Sequence, residues 1–155
     1  MNWLDWSSGD AGLSGFVAQL AGLRRDWPQL RLRDWLDGRS DDDGRADVQW
    51  SAPDGLALAP GDWDDPAGAG LTMRLAHPDD GPGLLLLLSR ADGPLEFRLP
   101  DGNWQVLLDS AARDGPTAAE EHQAGAHGRV TVHGPAVVLL AAVSAPDHPH
   151  EGFGN

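Results

Sequence analysis

Tryptophan is the residue type in this sequence that is best suited to recognising a ligand. The 155-residue chain has seven tryptophans, three phenylalanines and no tyrosine. Large aromatic side chains usually pack in cores and interfaces, but an exposed indole can also stack on a sugar ring. Both interpretations stay open for the tryptophans that lie within or beside predicted strands. The candidate carbohydrate-binding residues among them are Trp50, Trp63 and Trp104.

Residue patterns for covalent catalysis are missing from the sequence. The chain has no cysteine nucleophile and no lysine for Schiff-base chemistry. It also lacks the G-x-S-x-G turn, the G-x-x-x-x-G-K-[ST] phosphate loop and the dinucleotide-binding G-x-G-x-x-G. Paired carboxylates can hydrolyse a glycoside when a rigid cleft fixes their separation, but here the acidic residues cluster in Gly-rich turns such as 61–66 and 78–83. We therefore predict no self-sufficient active site, no catalytic residue and no cofactor.

Two patterns resemble metal sites only weakly. The run DDDG at 41–44, followed by Asp47, has the composition of a calcium loop but lacks the EF-hand spacing and its terminal glutamate. Histidines in a predicted loop and tail are more often adventitious than functional ligands. These are His122, His127, His148 and His150. We predict no metal site.

Net charge excludes two classes of partner. The chain has 11 basic and 24 acidic residues, which gives a net charge of −13. Such a field repels phosphate backbones and anionic lipids, so we predict no nucleic-acid and no membrane partner, whereas a neutral sugar is compatible with it. The longest apolar run, at 84–88, is too short to cross a bilayer, and no signal-peptide pattern is visible. With no cysteine to suggest an oxidising compartment, we predict a cytoplasmic protein.

One helix and a series of strands must position these residues. Apolar residues at helical spacing predict an amphipathic helix that begins near Asp10 and stops before Pro28. The stripe consists of Leu13, Phe16, Val17, Leu20, Leu23 and Trp27. Alternating or continuous apolar segments then predict strands at 30–36, 47–51, 71–77, 83–89, 94–100, 103–110, 128–134 and 135–143. The predicted fold is mainly β, an antiparallel β-sandwich of about eight strands preceded by one amphipathic α-helix.

Strand pairing and side-chain direction are predicted from turns and alternation. Turn residues predict one hairpin over 95–110 and a second across 134–135. Alternation places Trp104, Val106 and Leu108 on one strand face, which favours packing for Trp104. The residues predicted to point inward with it are Leu85, Leu87, Phe97, Val106 and Val138.

Five blocks in a fixed order resemble the C-terminal portion of a bacterial glycogen debranching enzyme of the isoamylase/pullulanase type, in glycoside hydrolase family 13. They are NWLDW at 2–6, LAGLRRDWPQLR at 20–31, DVQWSAPDG at 47–55, GDWDDPAGAGLTMRL at 61–75 and the segment 84–111. The resemblance extends to about residue 143. It implies two units: 1–28 as the end of a (β/α)₈ barrel with its final helix, and 29–146 as a C-terminal β-sandwich. Residues 147–155 lie outside the resemblance, and we predict them to be a flexible tail.

The resemblance also implies where the chemistry of such an enzyme lies. Its catalytic aspartate, its acid/base glutamate and a further aspartate belong to barrel strands upstream of this segment. The implied function is therefore a non-catalytic accessory domain that stabilises the barrel in glycogen breakdown. The alternative is a stand-alone module that binds glycogen or maltodextrin. The expected partner of the N-terminal helix is either the catalytic barrel or a second copy of the chain, and branched α-glucan is a further candidate partner.

Overall fold

The computed structural model describes residues 9–42, 44–112 and 128–143. Within them, one helix precedes seven strands that form two antiparallel sheets. The elements are α1 (Ala11–Asp26), β1 (Val48–Ser51), β2 (Gly70–Leu75), β3 (Leu84–Ser89), β4 (Pro94–Arg98), β5 (Asn103–Asp109), β6 (Arg129–His133) and β7 (Ala136–Val143). The larger sheet has the order β1-β2-β3-β7-β5, and β4 pairs with β6 in the smaller one. The predicted mainly-β fold with an N-terminal helix is confirmed.

The inner face of the large sheet packs against the two-stranded sheet and forms the main core. Leu85, Leu87 and Leu140 are fully buried there against Phe97 of β4. The five residues predicted to point inward all belong to this cluster or pack against it. Strand β3 lies between β2 and β7, which confirms that the leucine run forms a buried central strand.

The outer face of the large sheet carries the helix. Phe16, Leu23 and Trp27 pack against a second cluster that is centred on Leu84 and Leu139. The Gln19 side-chain amide donates to the carbonyl oxygen of Leu107 at 3.3 Å, and that of Gln29 donates to the carbonyl oxygen of Pro82 at 2.7 Å. The molecule therefore has three layers: the helix, the five-stranded sheet and the two-stranded sheet.

Helix α1 begins and ends where the sequence predicted. The Asp10 carboxylate accepts hydrogen bonds from the backbone N–H groups of Gly12 and Leu13, at 2.8 and 3.1 Å, and so caps the first turn. The helix ends at Asp26, and a short 3₁₀ turn begins at Pro28. Only half of the apolar stripe contacts the sheet, because Leu13, Val17 and Leu20 are exposed.

The predicted strand at 30–36 is wrong. A 3₁₀ turn occupies Pro28–Arg31, and none of the described residues between it and β1 belongs to a named strand. Trp35 is 97% exposed, and Leu32 and Leu36 are also exposed. Alternation indicates a strand only where a neighbouring strand and a core can receive it. Here only Leu30 packs against the outer cluster, and the side chains from Arg31 to Leu36 are exposed.

Both predicted hairpins are wrong as well. The first predicted hairpin joins β4 to β5, but β4 pairs with β6, with Phe97 opposite Val130, and β5 lies in the other sheet. The second predicted hairpin joins β6 to β7, but β7 pairs with β5 in the large sheet and β6 lies in the small one. The turns at 101–102 and 134–135 do exist, but each carries the chain from one sheet to the other. A turn signal predicts a reversal of direction, and it does not specify which strands pair.

The prediction that Trp104, Val106 and Leu108 share one strand face is wrong for Leu108, because β5 contains a β-bulge. Val106 lies opposite Leu140, but Leu108 lies opposite Leu139, so one residue is skipped in the pairing. An extra residue switches all later side chains to the other face. Leu108 therefore packs in the outer cluster, whereas Trp104 stays in the inner one.

Parts of the predicted three-unit division lie outside the described residues. Residues 1–8, with Trp3 and Trp6, belong to the predicted barrel remnant, and 147–155 are the predicted tail. Most of the predicted loop at 111–127 lies outside them too. The division stays a prediction.

Candidate functional site

The structure brings two of the three candidate tryptophans together. The ring centroids of Trp50 and Trp63 are 5.5 Å apart, and the ring planes meet at 74°, edge to face. Trp104 lies on the other face of the sheet, where it is 5% exposed and its indole N–H donates to the carbonyl oxygen of Pro100 at 3.0 Å. In this structure Trp104 fills the inner core, which agrees with the packing interpretation.

The position of Trp63 is fixed by local backbone bonds. Trp50 is on the outer face of β1, opposite Met73, and is half-buried. The backbone N–H of Leu58 donates to the carbonyl oxygen of Trp50 at 3.3 Å, which leads the chain into a 3₁₀ turn at Pro60–Asp64. The Asp62 carboxylate accepts from the backbone N–H of Ala59 at 2.7 Å and closes that turn. Trp63 is thereby held against the edge of Trp50.

A groove of about 580 Å³ lies beside Trp63, and we call it the Trp63 groove. Its floor is apolar and includes Leu71, Leu88 and Val137 from three neighbouring strands. The Trp63 side chain is 52% exposed and forms one wall. Polar residues of the rim are Asp62, Asp65, Arg90 and Ser110.

The polar groups of this rim are held in place by hydrogen bonds. One oxygen of Asp65 accepts from the backbone N–H of Ala67 at 2.8 Å, and Ser110 Oγ accepts from the backbone N–H of Val137 at 2.8 Å. The Arg90 guanidinium donates to the carbonyl oxygens of Gly68 and Pro66. Each carboxylate of the rim keeps one oxygen that makes no hydrogen bond within the described part of the chain.

This combination has the residue types that a sugar-binding site uses. An indole face packs well against the C–H groups of a pyranose ring, and carboxylate oxygens accept hydrogen bonds from its hydroxyl groups. Binding sites commonly join an apolar floor to a few well-placed polar groups. The sequence singled out Trp63 but missed Arg90 and Ser110, since each follows a strand end and only the sheet order brings them together.

The metal patterns gain no support among the described residues. No group of three or more His, Asp or Glu side chains comes together there in a way that could hold an ion. Asp43 of the acidic loop and the four histidines considered above lie outside the described residues. Within the same ranges, no helix is long and apolar enough to cross a membrane.

Several bacterial proteins named glycogen debranching enzyme are similar to this chain. The glycogen debranching enzyme of Yersinia enterocolitica is 34% identical over 107 residues, which are 69% of this chain and 15% of that enzyme. The glycogen debranching enzyme of Escherichia fergusonii is 30% identical over 129 residues, which are 83% of this chain and 18% of that enzyme. That of Yersinia pseudotuberculosis serotype O:1b is 31% identical over 107 residues. No protein-family model matches the chain.

Proposed function

This chain is a homologue of one segment of the bacterial glycogen debranching enzymes, and from this premise we propose that it is a C-terminal accessory domain without catalytic residues. The parent activity would be hydrolysis of α-1,6-linked glucan by a barrel of the glycoside hydrolase family 13 type. The observation that carries the proposal is the coverage, because the match takes in 69–83% of this chain but only 15–18% of its relatives. The proposal places the protein in the cytoplasm.

The use of carboxylates in this chain supports a non-catalytic role. Three aspartates of its turns each accept one backbone hydrogen bond: Asp54 from Leu56, Asp62 from Ala59, and Asp109 from Ala111. Such side chains stabilise turns. In glycoside hydrolysis, by comparison, a rigid cleft holds two carboxyl groups at a defined separation on either side of the scissile bond.

The exposed part of the helix is the proposed contact with the rest of the enzyme. Leu13, Val17 and Leu20 lie four and three residues apart on α1, and we call them the helix ridge. Exposed contiguous apolar side chains mark interaction surfaces. We assign the catalytic barrel as the partner of the helix ridge, and a second copy of the chain as its substitute when no barrel is present.

A chimera tests the accessory role. The matched segment of the Yersinia enterocolitica enzyme is replaced by this chain, and release of reducing sugar from a branched dextrin is measured beside the deletion variant and the isolated chain. We expect the chimera to be active and the isolated chain to be inactive. Hydrolysis by the isolated chain, or full activity of the deletion variant, would overturn the proposal.

Glucan binding through the Trp63 groove is a second candidate function. It rests on the half-exposed indole above an apolar floor with carboxylates at its rim. Native electrophoresis in gels with and without glycogen tests it, with Trp63→Ala as the variant. Trp35→Ala is the matched control, because Trp35 is more exposed and borders a different depression. Retardation that only Trp63→Ala abolishes supports this function, and unchanged mobility of the parent chain rules it out.

A further inference from the structure

The inner face of the large sheet changes character across its width. Over β3, β7 and β5 it is apolar and covered by the small sheet. Over β1 and β2 the side chains on the same face are polar, because the register places Gln49 beside Arg74 and Ser51 beside Thr72. Their neighbours in sequence, Trp50 among them, belong to the outer face. The sheet therefore offers a polar surface next to its core.

A second wall faces this polar surface. The backbone N–H of Arg98, at the end of β4, donates to the carbonyl oxygen of Pro53 at 2.7 Å. The Arg98 side chain lies along Gly55, where a Cβ would approach its Cδ to 3.5 Å, and Gly55 has a φ of +84°. The left-handed conformation at Gly55 lets the turn pass close to the arginine. The backbone of Arg98 is thus hydrogen-bonded to this turn, and its aliphatic stem passes beside Gly55.

A groove of about 680 Å³ lies between these walls. We call it the polar groove, and its polar side chains are Gln49, Ser51, Asp54, Thr72, Arg74, Arg98 and Asp101. The volume lies within the range of about 300–1,000 Å³ that is usual for small-ligand sites. The polar groove lies on the opposite face of β2 from the Leu71 floor of the Trp63 groove.

Three of the four charged groups of the polar groove have no partner within the described fold, and the fourth, Asp54, accepts one backbone hydrogen bond from Leu56. The guanidinium groups of Arg74 and Arg98 make no hydrogen bond and no ion pair with any described residue, and neither does the carboxylate of Asp101. Other arginines do have partners, as Arg129 has Glu96. Two cations and two carboxylates therefore share one concave surface.

We propose that the polar groove binds a neutral polyhydroxylated chain, an oligosaccharide. Each sugar hydroxyl both donates and accepts, so neighbouring hydroxyls can accept from a guanidinium and donate to a carboxylate. An anion would bind the arginines but would face Asp54, Asp101 and the negative field of the protein. For the choice of α-glucan as the sugar, the inference rests on the proposed glucan-binding function.

Calorimetric titration of the full chain with maltoheptaose tests the site. Arg74→Gln and Arg98→Gln are each made in a Trp63→Ala background, which isolates the polar groove from the Trp63 groove. Because hydrogen bonds to charged groups are the stronger ones, we expect each change to weaken binding at least about tenfold. Arg24→Gln is the matched control: it removes the same charge from an exposed site on α1, in another layer, and should leave binding unchanged.

The outcomes separate this inference from the proposed function. Loss of all maltoheptaose binding in Trp63→Ala alone would overturn the polar groove and leave the Trp63 groove standing. Binding that survives Trp63→Ala but fails in the arginine variants supports the polar groove. Tighter binding of inorganic phosphate than of maltoheptaose would identify an anion site and overturn the inference. Absence of sugar binding by the parent chain would remove both glucan sites.

Discussion

Two buried side chains show how differently single residues contribute to this fold. Trp104 fills the inner core and satisfies its N–H with the carbonyl oxygen of Pro100. Thr72 is buried as deeply, but its hydroxyl oxygen has no hydrogen-bond partner among the described residues. The tryptophan combines packing with a satisfied polar group, whereas the threonine keeps only its packing.

Thr72→Val should stabilise the protein. The two side chains have nearly the same shape, and an unsatisfied buried hydroxyl destabilises a fold by about 1–3 kcal/mol. We expect the free energy of unfolding to rise by about 1 kcal/mol in urea denaturation. Thr72→Ser is the control, because it keeps the hydroxyl and loses the methyl group, and it should lower stability. A valine variant that is less stable than the parent would show that the hydroxyl has an undetected partner.

Trp104→Ala should cost about 3–5 kcal/mol of stability, since it empties a large volume from the inner core. The melting temperature and the urea midpoint measure this loss. Trp35→Ala is the matched control, because Trp35 is almost fully exposed and its loss should change stability by about 0.5 kcal/mol or less. An unchanged melting temperature for Trp104→Ala would remove Trp104 from the core and restore it as a ligand candidate.

At the scale of single elements, sequence and structure agree where local rules suffice. An N-cap, a helical apolar period and a proline define α1, and a continuous leucine run defines β3. The errors concern interactions between elements. Hairpin signals cannot reveal that β4 and β5 belong to separate sheets, and strict alternation cannot anticipate the bulge at Leu107. For the same reason, the sequence identified Trp63 but not the two arginines of the polar groove.

Helix α1 should respond to a change that touches no other element. Gly15 lies in the helix interior, and a Cβ there would meet nothing within 4 Å. Gly15→Ala should therefore stabilise the helix by about 1 kcal/mol, since glycine is a poor helix former. Slower amide hydrogen exchange in α1 would report this. Equal exchange rates in parent and variant would indicate that the helix opens only together with the sheet.

At the scale of the whole molecule, the net charge opposes self-association and the helix ridge favours it. Three exposed apolar residues favour association, but each copy carries a net charge of −13. Added salt screens such repulsion. If the isolated chain self-associates through the helix ridge, the association should strengthen as the salt concentration rises.

Sedimentation velocity over a range of protein and salt concentrations measures this behaviour. We expect Leu20→Asp to abolish the salt-promoted association, because it places a charge in the helix ridge. Leu56→Asp is the matched control, since Leu56 is more exposed than Leu20 but lies beside the polar groove. A strictly monomeric parent chain at high concentration and high salt would exclude self-association through the ridge.

The sheet order also has a consequence for synthesis on the ribosome. Strand β7 lies between β3 and β5, yet it is the last of the seven strands to be made. Until it emerges, the apolar edge of β3 has no partner on that side, and β5 has none at all. Exposed strand edges of this kind are sites of aggregation during folding. We therefore expect this edge of β3 to stay open in the nascent chain until about residue 143 has left the exit tunnel.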